Sequence, residues 1–321
     1  MSLLRLRPLC AGSFLLLLIG LNPVPARGDG HGPAFAYSTA TLGKGDTSFE
    51  TAMMWREGSV MFGPRVTYGL RPNLQISFSA PFHLTHGEHP TGRFTAMMPG
   101  TPEAEALVGW RFYHATPGIS TRNEATLYAG GSATTQHLPR IDAPPLRRQP
   151  AMYVALAAGR VARTYDIWAG AGYQRYGDWN SQVSDHQSNT FFSSIAFGWR
   201  PPFLNKPYPK PDVRVFWETT GEDVGLATRD RTPLGSGGVT GGHTHDTAPS
   251  FPLLPLAGTE LLRNSGGRAI FTGPSFLCTY KSLALQGGVL FAAYDQPNGD
   301  QTHEELRAVV GITYYILGRR K

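Results

Sequence analysis

Apolar and polar positions alternate with a period of two along much of the chain. In "EAEALVGWRFYH" one face reads Ala104, Ala106, Val108, Trp110 and Phe112, and the other Glu103, Glu105, Leu107, Gly109, Arg111 and Tyr113. "NLQISFSAPF" sets Leu74, Ile76, Phe78, Ala80 and Phe82 against Gln75, Ser77, Ser79 and Pro81. "RNEATLYAGGSAT" sets Ala125, Leu127 and Ala129 against Glu124, Thr126 and Tyr128. In "ELRAVVGITYYIL" Leu306, Ala308, Val310, Ile312, Tyr314 and Ile316 oppose Glu305, Arg307, Val309, Gly311 and Thr313. Such alternation predicts strands with one apolar and one polar face, and helical periodicity is scarce.

The pattern predicts twelve strands, near residues 47–57, 59–69, 73–83, 103–114, 122–134, 151–163, 165–177, 188–200, 211–220, 267–280, 282–294 and 302–317. Most are about 10–14 residues long, enough for a tilted crossing of a bilayer and longer than the strands of soluble sandwiches. Connections after even-numbered strands are mostly tight ("LRPN", "ATPGIST"). Those after strands 3, 5, 7 and 9 are long: 84–102, 135–150, 178–187 and 221–266. Alternating turns and loops, an even strand count and two-faced strands predict an all-β, antiparallel transmembrane β-barrel of about 12 strands. Its turns would be periplasmic and its loops outside. Closure would satisfy every backbone group, as hydrocarbon requires.

Composition sharpens this picture. Charged residues make up only 16% of the 321, where about 25% is usual for soluble domains. Aromatics are 11%, with 38 glycines. The N-terminus reads as a signal peptide: Arg5 and Arg7 without acids, the short apolar core "AGSFLLLLIGL", then Val24 and Ala26 before a cleavage site. Residues 1–26 are expected to be removed, leaving 27–321 as one outer-membrane barrel. Loss of two arginines lowers the formal charge from +6 to +4 and leaves Cys278 as the one cysteine, so no internal disulfide is expected.

Aromatics fall near predicted strand ends (Trp55, Tyr68, Tyr113, Tyr165, Trp168, Tyr176, Trp179, Trp199, Tyr280 and Tyr294), where interfacial girdles are expected. Many such barrels end on an aromatic residue that the assembly machinery reads. This chain ends "YYILGRRK". Outer-membrane lipids, a small-molecule solute and that machinery are the expected partners. Nucleic acid is not expected, because the arginines are scattered and no basic run lies beside aromatics. "GSGGVTGG" lacks the lysine and the strand–helix context of a phosphate loop.

"TATLGKGDTSFE" followed by "PRVTYGLRPNLQISFSAPF" resembles the outer-membrane protein family named for the meta-pathway of phenol degradation. The shared features are the "LGKG" turn at Leu42 to Gly45 and the "YGL…NL" hairpin at Tyr68 to Leu70 with Asn73 and Leu74, within residues 39–83. The resemblance implies passive transport of small, often hydrophobic, compounds, and no catalytic residues.

Three constellations are candidates for chemistry. First, charge is costly on a lipid face, so charged strand residues should point inward. Glu50, Arg56, Arg65, Glu103, Glu105, Arg111, Arg122, Glu124, Arg200, Arg214, Glu218, Glu305 and Arg307 are expected to line the lumen, in mixed signs that suit internal ion pairs. The 221–266 loop is the candidate plug. Second, His86, His89, His243 and His245 lie on predicted outer loops with Glu88 and Asp246. Imidazoles are common ligands of Cu or Zn, so a metal-binding surface protein is an alternative. No other cofactor is expected. Third, "HQSN" resembles the active-site segment of the outer-membrane phospholipase A family. His186 and Ser188, two apart on one strand face, would make a lipid hydrolase. Thr190 stands where that family continues with Gly, no orienting Asn is evident, and the pair faces the lumen and not lipid. The favoured reading is therefore a barrel that passes or binds small molecules, not an enzyme.

Overall fold

The computed structural model describes residues 32–56, 59–84, 103–118, 120–134, 150–176, 185–186, 188–203, 210–226, 228–230, 259–261, 266–301 and 303–318. These form β1 (Thr47–Arg56), β2 (Ser59–Arg71), β3 (Leu74–Ser79), β4 (Phe82–His83), β5 (Glu103–Gly118), β6 (Thr121–Thr134), β7 (Pro150–Val161) and β8 (Tyr165–Tyr176). There follow β9 (Asp185–His186), β10 (Thr190–Trp199), β11 (Asp212–Val224), β12 (Thr228–Asp230), β13 (Thr259–Leu261), β14 (Gly267–Tyr280), β15 (Leu283–Pro297) and β16 (Leu306–Ile316). No helix occurs among the described residues.

Twelve strands build one wall: β1, β2, β3, β5, β6, β7, β8, β10, β11, β14, β15 and β16. All neighbours are antiparallel. The wall closes because β1 pairs with β2 on one side and β16 on the other, Thr47 facing both Tyr68 and Ile316. β4 resumes pairing with β2 beyond a break at Ala80 and Pro81. β9, β12 and β13 form a separate three-stranded sheet at the end that carries the long loops. The opposite end carries tight turns at 72–73, 162–164 and 281–282.

The period-two pattern sets the faces. In β7, Ala151, Tyr153, Ala155 and Ala157 are buried, while Met152, Val154 and Leu156 are exposed. β10 buries Thr190, Phe192, Ser194 and Ala196 and exposes Phe191, Ile195, Phe197 and Trp199. Because the barrel is closed, buried means inward. Large apolar side chains therefore face out, and much of the polar complement faces in.

Four expectations change. Trp168 and Tyr176 are not girdle residues: both sit on the inner face of β8, 3% and 7% exposed. A register shift between Arg111 and Tyr113 turns Tyr113 outward beside Phe112. Such a bulge puts an extra residue into one strand and flips the alternation. The wall strand β16 starts at Leu306, so Glu305 is exposed and Glu304, in the preceding turn, is fully buried. Ser188 and Asn189 precede β10, while His186 belongs to β9, so His186 and Ser188 do not share one strand face.

Candidate functional site

The lumen is not empty. Residues 32–46 precede the wall and run through its interior as a strap without strand pairing. It is anchored at the tight-turn end. Gly45, with φ of 80°, turns the chain. The Gly45 N–H donates to the Gly69 carbonyl at 2.8 Å, and the Gly318 N–H to the Asp46 carboxylate at 2.8 Å. From there the strap climbs. The Leu42 N–H donates to Gln75 Oε1 at 2.9 Å, and the Thr41 hydroxyl to the Pro72 carbonyl at 3.1 Å. The Thr39 hydroxyl donates to Glu124 at 3.1 Å, and Thr126 and Tyr128 donate to the Thr39 and Ser38 carbonyls at 2.8 and 2.6 Å. The Tyr37 N–H reaches Ser194 Oγ at 3.2 Å, and its hydroxyl meets that of Tyr153.

The top of the strap is held by one carboxylate. Glu218, fully buried on β11, accepts from the N–H groups of Ala34 (2.8 Å), Phe35 (2.8 Å) and Ala36 (2.6 Å), and from the Ser275 hydroxyl. Successive N–H groups converging on an anion make a nest. Phe35 then packs with Ala52, Met54, Met61, Ala269, Phe271, Leu290 and Val309 in an apolar layer.

The wall makes room for the strap with glycine. A Cβ at Gly69 would lie 1.9 Å from the Gly43 carbonyl oxygen, and one at Gly170 would lie 2.5 Å from the Tyr37 ring.

Charged clusters stand at both ends of the strap. Toward the long loops, Arg307 donates to Glu304 at 2.8 Å and to Glu222, and Arg56 donates to Glu304 at 2.7 Å. The Arg307 guanidinium also lies 3.7 Å from the centroid of the Phe271 ring. Burial disfavours the Glu304 charge, but Arg56 and Arg307 outweigh it and hold its carboxyl well below the usual carboxylate range. Toward the tight turns, Arg111 donates to Glu124 at 2.7 Å and Arg214 to Asp166 at 3.2 Å, with Arg200 2.9 Å from Asp212.

Of the residues expected to line the lumen, Glu50, Arg65, Glu105, Arg111, Glu124, Arg214, Glu218 and Arg307 all occupy inward positions, with Arg56, Arg122 and Arg200. Glu50 and Arg65 line a cavity of about 180 Å³ between strap and wall, with Ser77, Gln75, Tyr128 and Tyr153. Sequence reasoning missed Glu222, Glu304, Asp166 and the strap itself. Acidic residues at strand ends were the available signal for the first three. The 221–266 loop proposed as plug lies largely outside the described residues, as do His86, His89, His243 and His245. Among the described residues no three His, Cys, Asp or Glu side chains are grouped to hold a metal. Ser188 is half-buried, its Oγ 3.2 Å from where a Cβ on Gly225 would lie. Cys278 alternates with the fully buried Leu277 and so faces outward.

No family model matches the sequence, and no curated protein matches it. Among solved structures the chain is similar to the KdgM porin (9% identity, TM-score 0.38, 83% of this chain and 98% of that one). It is also similar to the NanC porin (9%, 0.41, 83% and 98%) and to LpxR from Salmonella typhimurium (9%, 0.40, 83% and 99%). At this identity the likeness concerns the fold, which rests on the strand pairing itself.

Proposed function

We propose that the protein is an outer-membrane barrel that passes or binds small molecules through its lumen. The inverted polarity supports the membrane setting. Outward charges mark the rims: Arg175, Asp223 and Arg268 at the long-loop end, Arg160 at the tight-turn end. Between them the outer face is mostly apolar, as along β14 from Ile270 to Cys278, nine residues, where Thr272 is the polar side chain facing out. Lipid-facing bands of this kind need strands of about 9–11 residues. A closed strand wall is the β-structure that leaves no unpaired edge in hydrocarbon.

The observation that carries the functional reading is the strap. It fills a charged lumen, yet above its base at Gly45 and Asp46, where the backbone bonds to Gly69 of β2, side-chain hydrogen bonds hold it to the wall. Such a segment can leave without breaking the barrel.

The test is conductance in planar bilayers, comparing the whole protein with a variant lacking residues 33–41. Steady steps from the whole protein mean an open path beside the strap. A silent whole protein and a conducting deletion mean that the strap is the gate. Silence from both, with folding shown by heat-modifiable migration on gels, would overturn passage through the lumen.

A further inference from the structure

The lumen arginines divide into two kinds. Arg56, Arg111, Arg200, Arg214 and Arg307 each reach a carboxylate within 3.2 Å, and their side chains are at most 17% exposed. Arg65 is different. Its ion pair is with Glu105 at 3.6 Å, longer than a hydrogen bond, and its side chain is 28% exposed although it points inward. Because Arg65 lines the cavity beside the strap, that exposure is to the cavity.

Glu50 stands directly opposite Arg65 across β1 and β2. Directly opposed side chains start about 5 Å apart. Yet the two turn to other partners, Arg65 to Glu105 and Glu50 to the Gln286 amide at 3.2 Å. One cavity thus presents a guanidinium with donors to spare and a carboxylate held by a neutral amide. Thr67, Ser77 and Gln75 add hydrogen-bonding groups, and Tyr128 and Tyr153 add aromatic surface. A cavity of about 150 Å³ accepts a benzene-sized guest, so 180 Å³ suits one small solute.

We infer that this cavity is a binding site for a small zwitterion bearing a carboxylate and an ammonium group. The Arg65 fork takes the carboxylate, because a planar guanidinium matches that shape in two parallel hydrogen bonds. Glu50 takes the ammonium. A simple anion meets Arg65 but is repelled by Glu50 and Glu105, and a simple cation meets the reverse. This assignment rests on the reading of the lumen as a small-molecule path and names the class of solute.

The test uses refolded full-length protein in a non-ionic detergent and ligand-observed NMR. The probes are alanine as zwitterion, propionate as anion and propylammonium as cation. Alanine should bind at least tenfold more tightly than either ion. Arg65→Gln and Glu50→Gln should each weaken alanine binding at least tenfold, and Arg65→Lys, which keeps the charge but not the fork, by a smaller factor. Heat-modifiable migration checks the fold of each variant. Equal binding of all three probes, no binding of alanine, or alanine binding unchanged in the variants would overturn the site. Conductance of the same preparations, with the variant lacking residues 33–41, is a separate readout. A conducting barrel without alanine binding refutes this site alone, whereas alanine binding by the whole protein with both it and the deletion silent refutes passage alone.

Discussion

Arg307 shows how much the interior depends on single side chains. It is fully buried and touches Glu222, Glu304 and the Phe271 ring. With Arg56 the cluster holds two cations and two carboxylates, so it is balanced. Arg307→Met keeps the bulk but leaves two carboxylates to share Arg56. Removing one member of a buried pair typically costs about 3–5 kcal/mol. Chemical unfolding from lipid vesicles should show a loss of that size at neutral pH. Glu304 gives the cluster a pH dependence of known sign. Its folded pKa is depressed by Arg56 and Arg307 despite burial, so the unfolded chain takes up its proton first. The stabilisation is present above the unfolded value, about 4.3, and is lost as pH falls toward the folded one. Wild-type stability should therefore decline from about pH 4.3 downward, whereas Glu304→Gln should be weaker at pH 7 and flatter in acid. Equal acid slopes for the two proteins would contradict the pairing.

At the scale of elements, strap and wall are fitted to each other. Gly170 leaves the space that the Tyr37 ring fills, and Glu218 points at the three N–H groups of residues 34–36. Gly170→Val should expel the ring and loosen the strap without unpairing β8, because the added atoms point into the lumen. The check is a cysteine placed at Ala36 in a Cys278→Ser background. It should react slowly with a water-soluble maleimide in the parent and several-fold faster with Gly170→Val. An unchanged rate would mean that the strap does not depend on that space. The wall strands were legible in the sequence because their alternation is a local signal repeated twelve times. Glu218 and Arg65 could be placed inward for the same reason. The strap was not legible. "GPAFAYSTATLGKG" alternates poorly and pairs with no strand, and its partners Glu124, Ser194 and Glu218 lie 85 to 184 residues away. Glu304 was missed because the predicted strand began at 302, whereas β16 begins at Leu306 and the turn before it does not continue the strand's alternation.

For the molecule as a whole, the decisive property is that polarity is turned inside out, and this has a consequence that depends on depth. Ile195 lies midway along β10, faces outward and is 54% exposed, with Phe191 near the long-loop rim and Trp199 near the tight-turn rim of the same face. In water, arginine at any of the three positions would be nearly free of cost. In a bilayer, arginine at the midplane costs about 2–4 kcal/mol and near the interfaces about 0–1. Ile195→Arg should therefore destabilise the vesicle-inserted protein by the larger amount, and Phe191→Arg and Trp199→Arg by clearly less than Ile195→Arg. Unfolding titrations of the three variants give the profile directly. A maximum at position 195 locates the bilayer centre across the middle of β10. Three equal costs would mean that the apolar band faces something other than hydrocarbon, and the membrane reading would fall with it.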